Sequence, residues 1–174
     1  MPVDAIETAK IAVLVGLLGT ALYTDFRYGK IYNKLTIPCM AVGIALNAAD
    51  GLPGVFQSAV GAGVVLFLFL VFAPAAGIGG GDTKLMMAVG SIIGLSLVVW
   101  TMLYSAVVGG VLALVAMARR RALLATTQNM AGNIYLKALL RAPVELTSGS
   151  RGIKFRYSPA IALGTLLTFF LKVW

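Results

Sequence analysis

Histidine is absent from this sequence of 174 residues, and cysteine occurs only once, as Cys39. The lack of histidine excludes a Ser-His-Asp triad, a Cys-His pair and a histidine-ligated zinc site. A single cysteine excludes an intramolecular disulfide and a cysteine-rich metal site. Any catalysis must therefore rely on carboxylates, lysine, tyrosine or serine, and we expect neither a metal nor a cofactor.

Charged residues are also scarce, at 11% of the sequence against 60% hydrophobic residues, and the mean hydropathy is +0.95. This composition excludes a disordered chain and is not that of an ordinary soluble domain. The apolar residues form continuous runs rather than an alternating pattern, which favours helices over a transmembrane barrel. The sequence therefore predicts an all-α, polytopic membrane protein.

Six apolar runs approach the length of about 20 residues that a transmembrane helix needs. They are residues 6–24, 35–50, 54–73, 83–100, 102–118 and 158–173. We predict a bundle of about six transmembrane helices that forms one membrane-embedded domain over residues 1–174. Between the fifth and sixth runs, residues 119–157 predict a cytoplasmic connection, with an amphipathic segment at residues 122–141 that contacts membrane lipids.

Basic residues are distributed unevenly among the predicted loops. Twelve of the fourteen lysines and arginines fall on the side where the first run ends, and only Lys10 and Lys172 fall on the other. By the positive-inside rule, the first side is cytoplasmic and both termini are outside. The net charge of +8 is thus explained by membrane orientation. Without a basic face carrying interleaved aromatics, we expect no nucleic-acid partner.

Two aspartates are placed where the membrane disfavours charge. Asp82 follows the glycine-rich residues 77–81 at the start of the fourth run, and Asp25 ends the first run. Ionisable groups at such positions are candidates for function. The predicted topology puts Asp25 and Asp82 at the same membrane surface, where we expect them to meet. Two adjacent carboxylates share a proton, so that one activates water while the other protonates an amide carbonyl and then the leaving amine.

Simpler structural roles are open for each of these residues. Asp82 is also suited to cap the fourth helix, and Asn33 to cap the second. Asp25 is compatible with an interfacial turn in which it pairs with Arg27. Lys84 either extends to the interface or pairs with a carboxylate.

Three motifs resemble those of the type IV prepilin peptidases, which are membrane aspartic proteases. Residues 79–82 form a Gly-x-Gly-Asp motif that continues through Thr83 and Lys84 to Gly90. Asp25 is followed by Ile31-x-Asn33, similar to the family's Ile-Pro-Asn. Residues 158–164, Ser-Pro-Ala-Ile-Ala-Leu-Gly, resemble the motif of its last span.

The resemblance implies catalytic roles for Asp25 and Asp82, with Gly79, Gly81, Lys84 and Asn33 as supporting motif residues. It implies an enzyme of the bacterial inner membrane that cuts prepilins at the cytoplasmic face, between a short basic leader and an apolar helix. Tyr32 stands where the family usually has proline, and the four-cysteine and methyltransferase regions of larger members are missing. We therefore expect a peptidase without N-methyltransferase activity, similar to the Flp-pilus or archaeal preflagellin peptidases.

Two other functions remain open from the sequence. A presenilin-like intramembrane protease also carries a Gly-x-Gly-Asp aspartate, but it would cut within the bilayer. A non-enzymatic transporter or scaffold could use the aspartates to bind protons or cations, although transporters place such groups near the membrane midplane.

Overall fold

A computed structural model describes residues 3–76, 79–119 and 157–172. These three ranges are helical and contain no strand, which confirms the predicted all-α class for the described residues. The predicted amphipathic segment at residues 122–141 lies outside the described residues, and so do Gly77 and Ile78 of the glycine-rich stretch.

Five helices follow one another along the described chain. They are α1 (Val3–Tyr28), α2 (Asn33–Asn47), α3 (Gly51–Ala76), α4 (Gly80–Arg119) and α5 (Ser158–Lys172), with a 3-10 turn at Ala48–Asp50 before α3. The end of α1 has a clear local cause. Gly29 adopts a left-handed φ of 62°, and its N–H bonds the carbonyl oxygen of Asp25 at 2.9 Å, which satisfies a terminal carbonyl of the helix.

Three stretches of helix are long and apolar enough to cross a membrane: Ala5–Tyr28, Asn33–Val71 and Gly80–Ala116. The second of these includes α2 and most of α3, and Ser158–Leu171 forms a shorter apolar helix. Length and composition thus identify a membrane protein. The number of crossings, six in our expectation, stays a prediction.

Helix α4 bends at a different place from the one expected. The sequence runs predict a boundary between two spans at Thr101, but Thr101 is helical and buried, and its hydroxyl bonds the carbonyl of Leu97 at 2.9 Å. That boundary was therefore wrong. The break occurs at Gly94, whose φ of 76° and ψ of 177° are not helical. Such a conformation is essentially restricted to glycine, and the hydropathy pattern does not reveal it.

By contacts, the chain divides into two compact units, residues 1–109 with 156–174 and residues 110–155. Of the second unit, only the end of α4, residues 110–119, is described. The first unit has an apolar core whose largest fully buried side chains come from three helices: Leu17 of α1, Leu85, Met86 and Ile92 of α4, and Ile161 of α5. This core holds the end of α1, the start of α4 and the start of α5 together.

Candidate active site

Asp25 lies in the last turn of α1 and is only 7% exposed. The sequence allows an interfacial turn residue paired with Arg27, but the structure places Asp25 within a regular helix instead. Its Oδ2 atom accepts a hydrogen bond from the hydroxyl of Ser158, which is fully buried. Among the described residues, no ion pair involves Asp25 or Asp82. A buried carboxylate without a cationic partner is available for proton chemistry.

Asp82 lies in the first turn of α4 and is partly buried. The backbone N–H groups of Asp82 and Thr83 donate to the carbonyl of Gly79 at 3.1 and 3.3 Å, so Gly79 occupies the position that caps the helix. The alternative in which Asp82 is itself the N-cap was therefore wrong. Instead, Asp82 is the third residue of α4, and its Oδ2 atom lies 3.5 Å from the position that a Cβ atom at Gly79 would occupy.

A cavity of about 410 Å³ is lined by both aspartates. Its lining residues are Asp25, Gly29, Lys30, Ile31, Tyr32, Asn33, Gly79, Gly81 and Asp82. The end of α1, the loop to α2 and the start of α4 form its walls. Asp25 is close enough to Asp82 for its charge to act on the Asp82 carboxyl. Of the six residues selected from the sequence, the cavity thus brings five together, and Lys84 lies beside it.

Gly81 allows the start of α4 to approach the loop between α1 and α2. A Cβ atom at this position would lie 3.3 Å from Cβ of Ile31, which is tighter than ordinary van der Waals contact. Gly80, by contrast, has no described atom within 4 Å of such a Cβ. The third glycine of the motif therefore has a packing role beside the cavity that the second one lacks.

Lys84 and Asn33 join the starts of two helices. Lys84 Nζ donates to Asn33 Oδ1 at 2.9 Å, so the lysine bonds an amide rather than pairing with a carboxylate. The expected capping role of Asn33 was wrong. The carbonyl of Tyr32 accepts from the N–H groups at positions 35 and 36, and no side chain caps α2. Asn33 is thereby free to receive the lysine.

Two residues at the start of α5 interact with the aspartates, which the sequence did not predict. Ser158, noted only within the last-span motif, bonds Asp25. Tyr157 is half-buried, and this burial together with the Asp82 charge raises its pKa. The only available signal was a serine directly before Pro159, which is typical of a helix start.

The described residues contain no group of three or more metal-ligating side chains of the His, Cys, Asp or Glu types. The arrangement that they do provide is a pair of carboxylates in a shared, partly dehydrated cavity. Such a pair can divide the roles of general base and general acid between its members.

Residues 12–114 match the type IV leader peptidase family. No curated protein matches the chain, and no solved structure matches it. The matched region covers more than half of the sequence, and it contains α1 from residue 12 onward, α2, α3 and most of α4. It therefore includes both Asp25 and Asp82, while α5 lies beyond it. The chain belongs to the type IV leader peptidase family, and it is a membrane protein of a family of proteases.

Proposed function

We propose that the protein is an aspartic endopeptidase that removes the short basic leader of a type IV prepilin. The observation that carries this proposal is the cavity shared by Asp25 and Asp82. Membership of the leader peptidase family supports the same reaction.

In the proposed reaction, one carboxylate takes a proton from a water molecule, and the resulting hydroxide attacks the scissile carbonyl carbon. The protonated carboxyl donates its proton to the carbonyl oxygen, which forms a tetrahedral intermediate. Collapse of this intermediate breaks the C–N bond, and the carboxyl that received the water's proton transfers it to the leaving amine. The other carboxylate takes back the proton from one hydroxyl of the intermediate as the new carboxyl group forms, which restores the starting pair. The sum is addition of one water across the peptide bond. No covalent enzyme intermediate is needed, which suits a chain without histidine.

Cleavage at the membrane surface is supported by the helix positions of the two aspartates. Asp25 is in the last turn of α1 and Asp82 in the first turn of α4, so neither lies in the middle of an apolar helix. We propose that this end faces the cytoplasm, because it carries most of the basic residues. A bond cut where the substrate's apolar helix begins fits this location. A presenilin-like protease would instead cut inside the apolar stretch, and mapping the cut bond by mass spectrometry distinguishes the two.

Within the family, we propose a Flp-type prepilin as substrate and no N-methyltransferase activity. The basis is that these 174 residues hold a single cysteine, so they do not form a four-cysteine segment. Mass spectrometry of the mature pilin tests this directly, because methylation of the new N-terminus would add about 14 Da.

The proposal is tested by changing each aspartate to asparagine and following processing of a co-expressed prepilin. Asp25→Asn and Asp82→Asn both remove a carboxylate while keeping its shape, so each should abolish cleavage. Asp50→Asn is a matched control, since Asp50 is exposed, lies outside the cavity and makes only a 3.4 Å ion pair with Lys10. That control should process normally. Wild-type cleavage by either cavity variant, at equal protein level in the membrane, would exclude the two-aspartate mechanism.

A further inference from the structure

We propose that Ser158 is a positioning residue for Asp25, and that α5 thereby completes the catalytic pair. The inference rests on the proposed function, because it assigns a role within the same site. It also extends beyond residues 12–114, the region matched to the family.

The first observation is the hydrogen bond itself. The Ser158 hydroxyl donates to Asp25 Oδ2, and the two residues are 133 positions apart in the chain. Ser158 is fully buried and Asp25 is 7% exposed, so bulk water has little access to replace this donor. A hydrogen bond from a neutral donor to a buried carboxylate is stronger than one between two neutral groups. Loss of the donor leaves that carboxylate oxygen without its protein partner.

The second observation is that the start of α5 is held firmly in place. The N–H of Ile161 bonds the carbonyl of Tyr157 at 3.1 Å, which begins the helix. Ala160 and Ile161 are fully buried in the core. The Tyr157 ring packs so closely on α4 that a Cβ at Gly109 would lie 2.6 Å from Cε2 of Tyr157. The hydroxyl that bonds Asp25 therefore belongs to a rigid part of the core.

The same turn of α5 also approaches the second aspartate. Burial and, to a smaller extent, the Asp82 charge raise the pKa of Tyr157, so the phenol lies within range of that carboxylate's charge. Adjacent residues at one helix start thus interact with both members of the pair: Ser158 bonds Asp25, and Tyr157 lies within range of the Asp82 charge.

A hydroxyl fixed on one carboxylate oxygen restricts rotation of the Asp25 side chain. The orientation of the other oxygen, which must contact water or the substrate carbonyl, is then determined before the substrate binds. Such preorganisation lowers the barrier to the chemical step without adding a contact to the substrate. Loss of the hydroxyl should therefore reduce kcat and leave KM nearly unchanged.

The test compares Ser158→Ala, Ser158→Thr and Thr168→Val in the purified full-length protein. The substrate is a peptide with a short basic leader followed by an apolar helix. Thr168→Val is the matched control. Thr168 is also a buried hydroxyl of α5, which bonds Thr101 of α4 at 2.9 Å, and it lies ten residues, or about 15 Å, further along the helix. Its loss weakens the packing of α5 by a similar amount but leaves the cavity untouched.

We expect Ser158→Ala to lower kcat by about tenfold to a hundredfold with KM within about twofold of wild type. Ser158→Thr keeps the hydroxyl and should recover most of the lost kcat, and Thr168→Val should match wild type. The inference is overturned if Ser158→Ala keeps the wild-type kcat or changes only KM. It is also overturned if Thr168→Val loses as much kcat as Ser158→Ala. A third contrary result is a Ser158→Thr variant that recovers none of the lost kcat although its thermal stability equals that of wild type. Any of these results leaves the proposed function intact provided that Asp25→Asn is inactive. An active Asp25→Asn would instead refute the proposed function itself.

Discussion

The ammonium group of Lys84 donates a hydrogen bond of 2.9 Å to the Oδ1 atom of Asn33, which lies 51 residues earlier in the chain. The bond joins Lys84, the fifth residue of α4 and two positions after Asp82, to the first residue of α2. Since the cavity lies between these two helix starts, the bond helps to fix its width. The sequence motifs contain both residues but do not indicate that they touch.

Removal of either partner of this bond should loosen the cavity. Lys84→Met and Asn33→Ala should each reduce the rate of prepilin cleavage. The double variant should be no slower than the worse single variant, because both remove the same interaction. Both side chains are exposed, so the effect on the free energy of unfolding should be small, about 1 kcal/mol or less. A double-mutant cycle on kcat/KM measures the coupling.

Lys34→Met serves as the control for loss of an exposed positive charge near the same helix start. Lys34 does not line the cavity, so its variant should cleave at the wild-type rate. Strictly additive effects of Lys84→Met and Asn33→Ala would show that the bond has no part in positioning the site.

The two glycines that precede Asp82 should respond differently to substitution. Gly81→Ala brings a Cβ to 3.3 Å from Ile31 and must displace the cavity wall by a few tenths of an ångström, whereas Gly80→Ala meets no described atom within 4 Å. A misplacement of about 1 Å can cost about a hundredfold in rate, so this smaller shift predicts a fall of about fourfold in kcat/KM for Gly81→Ala. Gly80→Ala should be close to wild type. Equal losses in the two variants would contradict the packing role of Gly81.

Asn47 should be important for stability, because it bonds the backbone of α4 just before the break at Gly94. Its buried Nδ2 group donates to the carbonyl oxygens of Ser91 and Ile92, each at 3.0 Å. A break interrupts the regular bonds of a helix, and carbonyls near it need other donors. Asn47→Leu removes these donors and should destabilise the protein by about 2 kcal/mol or more, measured by thermal unfolding in detergent.

Ser58→Ala provides a graded comparison for that experiment. Ser58 is buried and donates to the same Ser91 carbonyl, which keeps its bond from Asn47 after the substitution. Ser58→Ala should therefore destabilise the protein clearly less than Asn47→Leu does. The reverse order would mean that Asn47 does not replace the interrupted helix bonds.

Gly94 should tolerate alanine poorly because of its backbone conformation rather than its surroundings. A Cβ at this position would meet its nearest described atom, Cβ of Gln57, at 3.7 Å, which is an ordinary contact. A φ of 76° with a ψ of 177° is nevertheless strained for any residue with a side chain. Gly94→Ala should cost about 1–3 kcal/mol of unfolding free energy. Gly63→Ala is the control, since Gly63 is helical, exposed and has no described atom within 4 Å of a Cβ. It should be neutral or slightly stabilising.

Much of the candidate site could be predicted from the sequence because the relevant signals are local. Asp25 and Asp82 are acidic residues at the ends of apolar runs, and charge at such positions is conspicuous in a sequence with six acidic residues. The helical class follows from continuous apolar runs, since a chain in a bilayer must satisfy its backbone within each segment. The predicted N-cap positions, Asp82 and Asn33, lie a few residues from the observed ones. Many residue types can precede a helix, and the backbone conformation decides which of them is the N-cap.

The sequence by itself determined that this protein is a helical membrane protein of the leader peptidase type, with two aspartates at helix ends. Only the tertiary structure decided which groups touch those aspartates and where α4 breaks. Ser158 reaches Asp25 across 133 residues, and Lys84 reaches Asn33 across 51. Hydropathy and motif spacing report on neighbours within a few turns of helix. Contacts between distant segments depend instead on how α1, α4 and α5 pack in the shared core, and no local pattern encodes that packing.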